Sequence, residues 1–348
     1  MMRTFAKAFT CIFFIAFNTS LPASAQTRAN PSTTWTVTIV LPPRVMAGHP
    51  ATLAVFGVDG KLAPGVSVAL SDGQTLMTDR TGRATFTVPT SGEYLLAKGS
   101  GASVATLIDP ATGASEPKET TAPPVISLRD RFWVCTAGLR GDADANSIRI
   151  NGEAALVIAA SPECLVALPS SKAVAGPAAI SIEAPGVEAS AKATLVALDF
   201  DAPQPPPVPG KKSRLEVRVR GSEQRLGLVV DNVTPGVLKF ALGDSQEVMT
   251  RGGPQNSAAL DVQAIRSGDY SFRARLIPAP DPAIAQRYLR AAAELAPEDS
   301  RGDLRGFAKR VARHPRDLPT VRAQVGELLM QTIASDFRTL LNAAWETL

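Results

Sequence analysis

The chain has 348 residues, a formal net charge of +4, 45% hydrophobic residues, 28 prolines and 26 glycines. Its length allows two or three domains, its many breakers favour short elements joined by turns over a helix-rich enzyme, and its near-balanced charge argues against nucleic acid as a partner. With only His49 and His314 in the chain, zinc sites and histidine-based catalysis have almost no material to work with.

The first 25 residues predict a cleavable secretory signal. Basic Arg3 and Lys7 precede an apolar run from Ala8 to Phe17, and Ala23-Ser24-Ala25 gives the small-residue end that cleavage needs. The run is shorter than the roughly 20 apolar residues of a membrane helix. Cys11 is followed by Phe13, Phe14, Ile15 and Phe17, which is the wrong position for lipid attachment. The expected mature protein starts near Gln26, after Ala25, and is periplasmic or secreted. It has a disordered start over 26–33 and no integral membrane segment, and loss of Arg3 and Lys7 leaves it at +2.

A first module spans about 34–108, with strand-like runs at Trp35–Val40, Ala51–Phe56, Val66–Leu70, Ala84–Val88 and Tyr94–Ala97. Alternation puts Val66, Val68 and Leu70 on one face and Ser67 and Ala69 on the other. Residues 109–124 lack apolar periodicity and read as a linker. A second module, 125–198, carries Ser147–Val157, Cys164–Pro169 and Gly176–Ile182. A second linker, 199–212, contains Asp201–Gly210 (DAPQPPPVPG), which reads as a semi-rigid polyproline spacer. The third module, 213–277, opens with Leu215, Val217 and Val219 alternating against Glu216, Arg218 and Arg220, and further strand-like runs follow to Ile277.

After Pro280 the period changes to helical, giving a tail over 281–348. Asp281-Pro282 reads as an N-cap followed by a first-turn proline, ahead of the stripe Ile284, Tyr288, Ala292 and Leu295. Leu304, Phe307, Ala308 and Val311 mark a second helix that stops at His314-Pro315. A third starts near Leu318 and carries Val321, Val325, Leu328, Leu329, Ile333, Phe337, Leu340, Leu341 and Ala344, which predicts one helix of about 28 residues, roughly 40 Å long. The predicted fold is therefore mainly β, with three serial immunoglobulin-like β-sandwich modules followed by a C-terminal three-helix bundle. The helices either close on themselves or pack an apolar stripe onto a partner.

The run Gly60–Leu70, with Thr78-Asp79, Gly82, Phe86 and Gly92-Glu93-Tyr94, resembles bacterial Ig-like and carboxypeptidase-regulatory-like β-sandwiches. The second module has a strand ending in Asn151-Gly152, a strand closing on Pro169 and Gly176 before the next strand, and it looks like the IPT/TIG immunoglobulin-like fold. Where that family has a Gly-x-Gly-Phe turn, this chain has Thr136-Ala137-Gly138-Leu139. The first resemblance rests on turn and core positions that say nothing about a ligand, and the second implies interaction rather than catalysis.

Cys135 and Cys164 both lie in the second module. In an oxidising compartment they read most simply as a disulfide closing about 30 residues, contributing roughly 3 kcal/mol. Two separate thiols, or a metal or redox site, are the alternatives. Asp142, Asp144, Asn146 and Glu153 have the spacing of calcium-loop positions, but Ser147 stands where the loop requires glycine. They make either a solvated turn or a weak Ca²⁺ site, the one cofactor candidate. Arg301, Arg305, Lys309, Arg310, Arg313 and Arg316 make the second helix basic, as a solvated face or as a contact for an anionic surface.

Gly243-Asp244-Ser245 after an apolar strand resembles the nucleophile block of GDSL-type hydrolases. The family's Asp-x-x-His has only His314 to match it, with Val311 in the aspartate's place. Arg-Gly-Asp occurs at Arg140–Asp142 and at Arg301–Asp303; tripeptides this short arise easily in an Arg- and Gly-rich chain, Asp303 at a helix start reads as a cap, and integrin-like recognition is the alternative. The sequence predicts an exported, non-catalytic interaction or scaffold protein of the cell envelope, meeting a protein partner there or at the cell surface through its β modules and helical tail. The alternative is an accessory protein binding polysaccharide or peptidoglycan, for which the three Trp and three Tyr give little stacking surface.

Overall fold

Short strands with one apolar face must pair and stack to bury it, and in the computed structural model they do so as β-sandwich modules followed by four helices. The structure describes residues 37–111, 120–234, 236–241, 243–333 and 335–348. The predicted signal segment, the start of the mature chain, Cys11, Trp35 and the middle of the first linker lie outside these residues.

In the first module, Thr38–Val40, Pro50–Phe56 and Arg83–Thr87 face a sheet ordered Arg44–Met46, Ala102–Asp109, Tyr94–Gly99, Ser67–Leu70 and Thr75–Met77. Leu53, Val68, Phe86 and Leu95 fill the space between them. Val68 and Leu70 are buried and Ser67 and Ala69 exposed, as alternation requires. The second module encloses Ile126, Ile148, Ile150, Leu165, Ile180 and Ile182. The third encloses Leu215, Val217, Leu228, Val230 and Leu260, and Phe272 lies 5.8 Å from both the Phe200 and Phe240 rings.

One sheet runs through all three modules. Ala160 pairs with Thr52 across the first junction. The 14-residue strand Val187–Phe200 pairs with Gly176–Ala184 along its first part and with Lys212–Arg220 from Ala197 onward. The Pro-rich segment, read from its composition as a semi-rigid polyproline spacer, is hydrogen-bonded to the third module. Asp201 N–H donates to Glu216 O, Gln204 and Arg214 exchange two backbone hydrogen bonds, and Gly210 N–H donates to Ala264 O. The prolines bring no N–H of their own, and the residues between them satisfy the sheet edge.

The helices are α1 (Pro282–Leu295), α2 (Glu298–Arg313), α3 (Leu318–Gln331) and α4 (Asp336–Thr347). The Asp281 carboxylate caps α1 by accepting from Ala283 and Ile284 N–H. The long third helix expected from the sequence is two, so the tail has four helices instead of three. Ser335 takes an extended backbone and its hydroxyl accepts from Arg338 N–H, starting α4 afresh. The break leaves Ile333 86% exposed while Val325, Phe337 and Leu340 stay buried.

The tail is not a free-standing bundle. Leu289, Ala292, Leu304, Val325, Phe337 and Leu341 form one core with Leu96, Ala105 and Leu107 of the first module. Tyr288 donates to Ala105 O at 3.2 Å, Lys98 pairs with Asp336, and Thr339 donates to the Ser103 hydroxyl at 2.9 Å. On the other side Arg322 of α3 grips Glu247 of the third module with two hydrogen bonds of 2.8 and 2.6 Å, its guanidinium 4.2 Å above the Trp345 ring. The tail thereby bridges the first and third modules.

Candidate functional site: an arginine-lined cleft between the modules

Joining three sandwiches edge to edge leaves a concave space where their loops converge. The cleft measures about 780 Å³. The first module contributes the turn around Phe56 and Val58, the second the turn Leu128–Arg131 and the loop through Ser170 and Ser171, the strand leading out of the second module Asp199, and the third Arg220 and Arg273. Two of its arginines are held in place. Arg220 donates to Asp199 at 2.7 Å and Arg273 lies 3.5 Å from Asp130. Arg129 and Arg131 form no salt bridge among the described residues, so the lining of four guanidiniums and two carboxylates carries an excess of two positive charges. Protein crowding around Arg131 lowers its proton affinity; Arg273 and Arg275 deepen the effect, and Asp130 and Glu346 oppose it. The side chain nonetheless reaches solvent, so the charge is crowded without being sealed off.

A second charged cluster lies where the first module, the second module and α1 meet. Asp109 is paired with Arg287, which also donates to Ile108 O at 2.7 Å, and lies 3.6 Å from Arg44. Burial raises the Asp109 pKa, but a hydrogen bond with Glu163 and the attraction of Arg287 and Arg44 outweigh it and hold the carboxyl below its ordinary range. Asp109 and Glu163 are 9% and 7% exposed, so this cluster is a latch between elements rather than an open site.

The Cys135–Cys164 disulfide is formed, and the two residues are direct register partners in neighbouring strands. Asp142, Asp144 and Asn146 share one turn, but Glu153 does not join them. Asp142 accepts from Asp144 N–H, Asp144 pairs with Arg83, and Asn146 donates to Arg140 O and Asp142 O at 2.9 and 2.6 Å. Glu153 begins the next strand, opposite Ile150, beyond the far end of Ser147–Ile150. Among the described residues no group of three His, Cys, Asp or Glu side chains is placed to hold a metal ion.

The six basic residues of the second helix and its end divide. Arg301 donates to Ala296 O, Arg305 pairs with Glu294, and Arg310 donates to Gln324 while lying 5.0 Å over Phe307. Lys309, Arg313 and Arg316 face solvent. Ser245 donates to Asp231 at 2.7 Å, with no histidine base in that contact. The first Arg-Gly-Asp is built into a seam: Gly141 is buried, and its carbonyl accepts from the Thr52 hydroxyl at 2.6 Å. Tyr288 is buried, and Tyr270 is the one Tyr or Trp among the large exposed apolar side chains of the described residues. The cleft itself escaped sequence reasoning because Arg129, Arg131, Arg220 and Arg273 come from separate modules.

No protein-family model matches the sequence, and no curated protein matches it. Among solved structures, the chain is similar to invasin, a bacterial integrin-binding protein, at 17% identity over 70% of this chain and 57% of that one, with a TM-score of 0.19. It is also similar to a Bacteroides ovatus mixed-linkage glucan utilization protein, SGBP-B, at 10% identity over 68% and 72% with a TM-score of 0.25. A third neighbour, the N-terminal four Ig domains of a Dscam1 isoform, is 12% identical over 65% and 72% with a TM-score of 0.23. The chain thus spans little more than half of the invasin chain. At such scores whole chains do not superpose, and integrin or glucan binding is a property of those neighbours.

Proposed function

We propose that the protein is an exported, non-catalytic binding scaffold of the cell envelope whose ligand or partner is held at the cleft between its modules. The observation that carries this reading is the cleft itself: three modules in one continuous sheet converge on a solvent-open concavity whose surplus charge is not neutralised from within. The helical tail, expected from the sequence to be the docking element, has its apolar face on the first module, so partner binding moves from the tail to the cleft. Export rests on the N-terminal sequence pattern together with the disulfide. No helix among the described residues is long and apolar enough to cross a membrane.

The test is capture of cross-linked partners from envelope fractions by the intact mature chain and by an R129Q/R131Q variant, with N-terminal sequencing of the exported form. The expected results are a mature terminus at Gln26 and a saturable partner whose capture falls with the variant. A partner captured equally by both chains, or a mature form that retains the first 25 residues, overturns the corresponding half of the proposal.

A further inference from the structure

We infer that the cleft recognises a small ligand presenting two oxyanion groups, carboxylate or phosphate, to Arg129 and Arg131. The inference rests on the reading of the cleft as the binding site and adds the ligand's chemistry. Arg129 and Arg131 flank Asp130 on one turn, and the Asp130 carboxylate lies toward Arg273, while Asp199 engages Arg220. The cleft's own acids are ion-paired with two of its four arginines, and Arg129 and Arg131 form no salt bridge among the described residues, although Asp130 and Glu346 attract the Arg131 charge from farther off.

Guanidinium is the side-chain group best matched to planar carboxylate or to phosphate, because its parallel N–H donors engage two oxygens at once. The 780 Å³ volume falls within the roughly 300–1,000 Å³ of small-molecule sites, which favours a compact ligand over a protein surface. Phe56 and Val58, the latter 58% exposed, supply an apolar wall for the ligand's carbon frame, and Ser170 and Ser171 supply hydroxyls beside it.

Isothermal titration of the disulfide-intact mature chain with tricarballylate and with inorganic pyrophosphate tests this. At least one probe is expected to bind saturably with one-to-one stoichiometry, and the stronger arm assigns carboxylate or phosphate. The R129Q/R131Q variant is expected to bind about tenfold or more weakly. An R313Q/R316Q variant removes the same charge from an exposed surface elsewhere and is expected to stay within about twofold of the native chain. Absence of saturable binding by both probes, undiminished binding by R129Q/R131Q, or an equal loss in R313Q/R316Q overturns the inference. If neither probe binds while envelope capture still falls with R129Q/R131Q, the ligand chemistry fails and the cleft as binding site stands. If capture is also unaffected, both fail.

Discussion

The seam between the first two modules has one position at which a single carbon atom should decide the fit. A Cβ on Gly141 would lie 1.8 Å from Pro50 O and 2.4 Å from Pro50 C, whereas ordinary contact begins at 3.4 Å. Both obstructing atoms belong to backbone, so no side-chain rotation can make room, and Gly141→Ala must push the modules apart. Separation also takes the Gly141 carbonyl from the buried Thr52 hydroxyl, now 2.6 Å away. Overpacking costs about 1–3 kcal/mol and an orphaned buried polar group about 1–3 kcal/mol, which sets the expected destabilisation near 3 kcal/mol. Urea unfolding monitored by circular dichroism measures it. The internal comparison is Gly302→Ala on α2, where the added Cβ meets nothing within 4 Å; removing a glycine from a helix interior there should stabilise the chain by about 0.5–1 kcal/mol. A Gly141→Ala variant within about 0.5 kcal/mol of the native chain would refute the packing argument.

Other expectations follow from the same structure. Replacing Cys135 and Cys164 together with serine should cost about 3–4 kcal/mol for the 29-residue separation they close, and alkylation of the mature native chain without reductant should leave its mass unchanged. Asp109 titrates below its ordinary range when folded, so its contribution is fully present above about pH 4 and is lost as pH falls through the folded value. Asp109→Asn should therefore be less stable than the native chain at neutral pH, with the gap in urea midpoint narrowing below about pH 4; a gap unchanged at about pH 3 contradicts the assignment. A chain ending at Pro280 should expose Leu96, Ala105 and Leu107 and so bind a hydrophobic dye and self-associate, which fluorescence and light scattering report.

Local periodicity made much of the β architecture legible. Val66, Val68 and Leu70 in one module and Leu215, Val217 and Val219 in another repeat every second residue, and a half-buried strand leaves just that pattern. Features made by distant segments were less visible. The apolar stripe from Val321 to Ala344 hid a break because the signal that ends it, the hydroxyl of Ser335, is polar and single. The Pro-rich segment has no period of its own, since its hydrogen bonds go to Arg214, Glu216 and Ala264. The tail's docking site did leave a trace. Tyr94-Leu95-Leu96-Ala97 is apolar without alternation, because Leu95 and Ala97 face the sandwich core while Leu96 faces the helices. The surplus arginines of the cleft left none, since charge that converges only in three dimensions has no sequence spacing.

The bridge from the last helices back to the first module also sets an order of events. A chain delivered N-terminus first presents Leu96, Ala105 and Leu107 well before α1 and α4 arrive to cover them, and the Tyr288–Ala105 hydrogen bond spans 183 residues. For that interval the first module is a half-finished surface, sticky on the face that later becomes interior. Closure of the first module is thus tied to arrival of the helices: a chain interrupted after its third module would carry the mark of the interruption on its first.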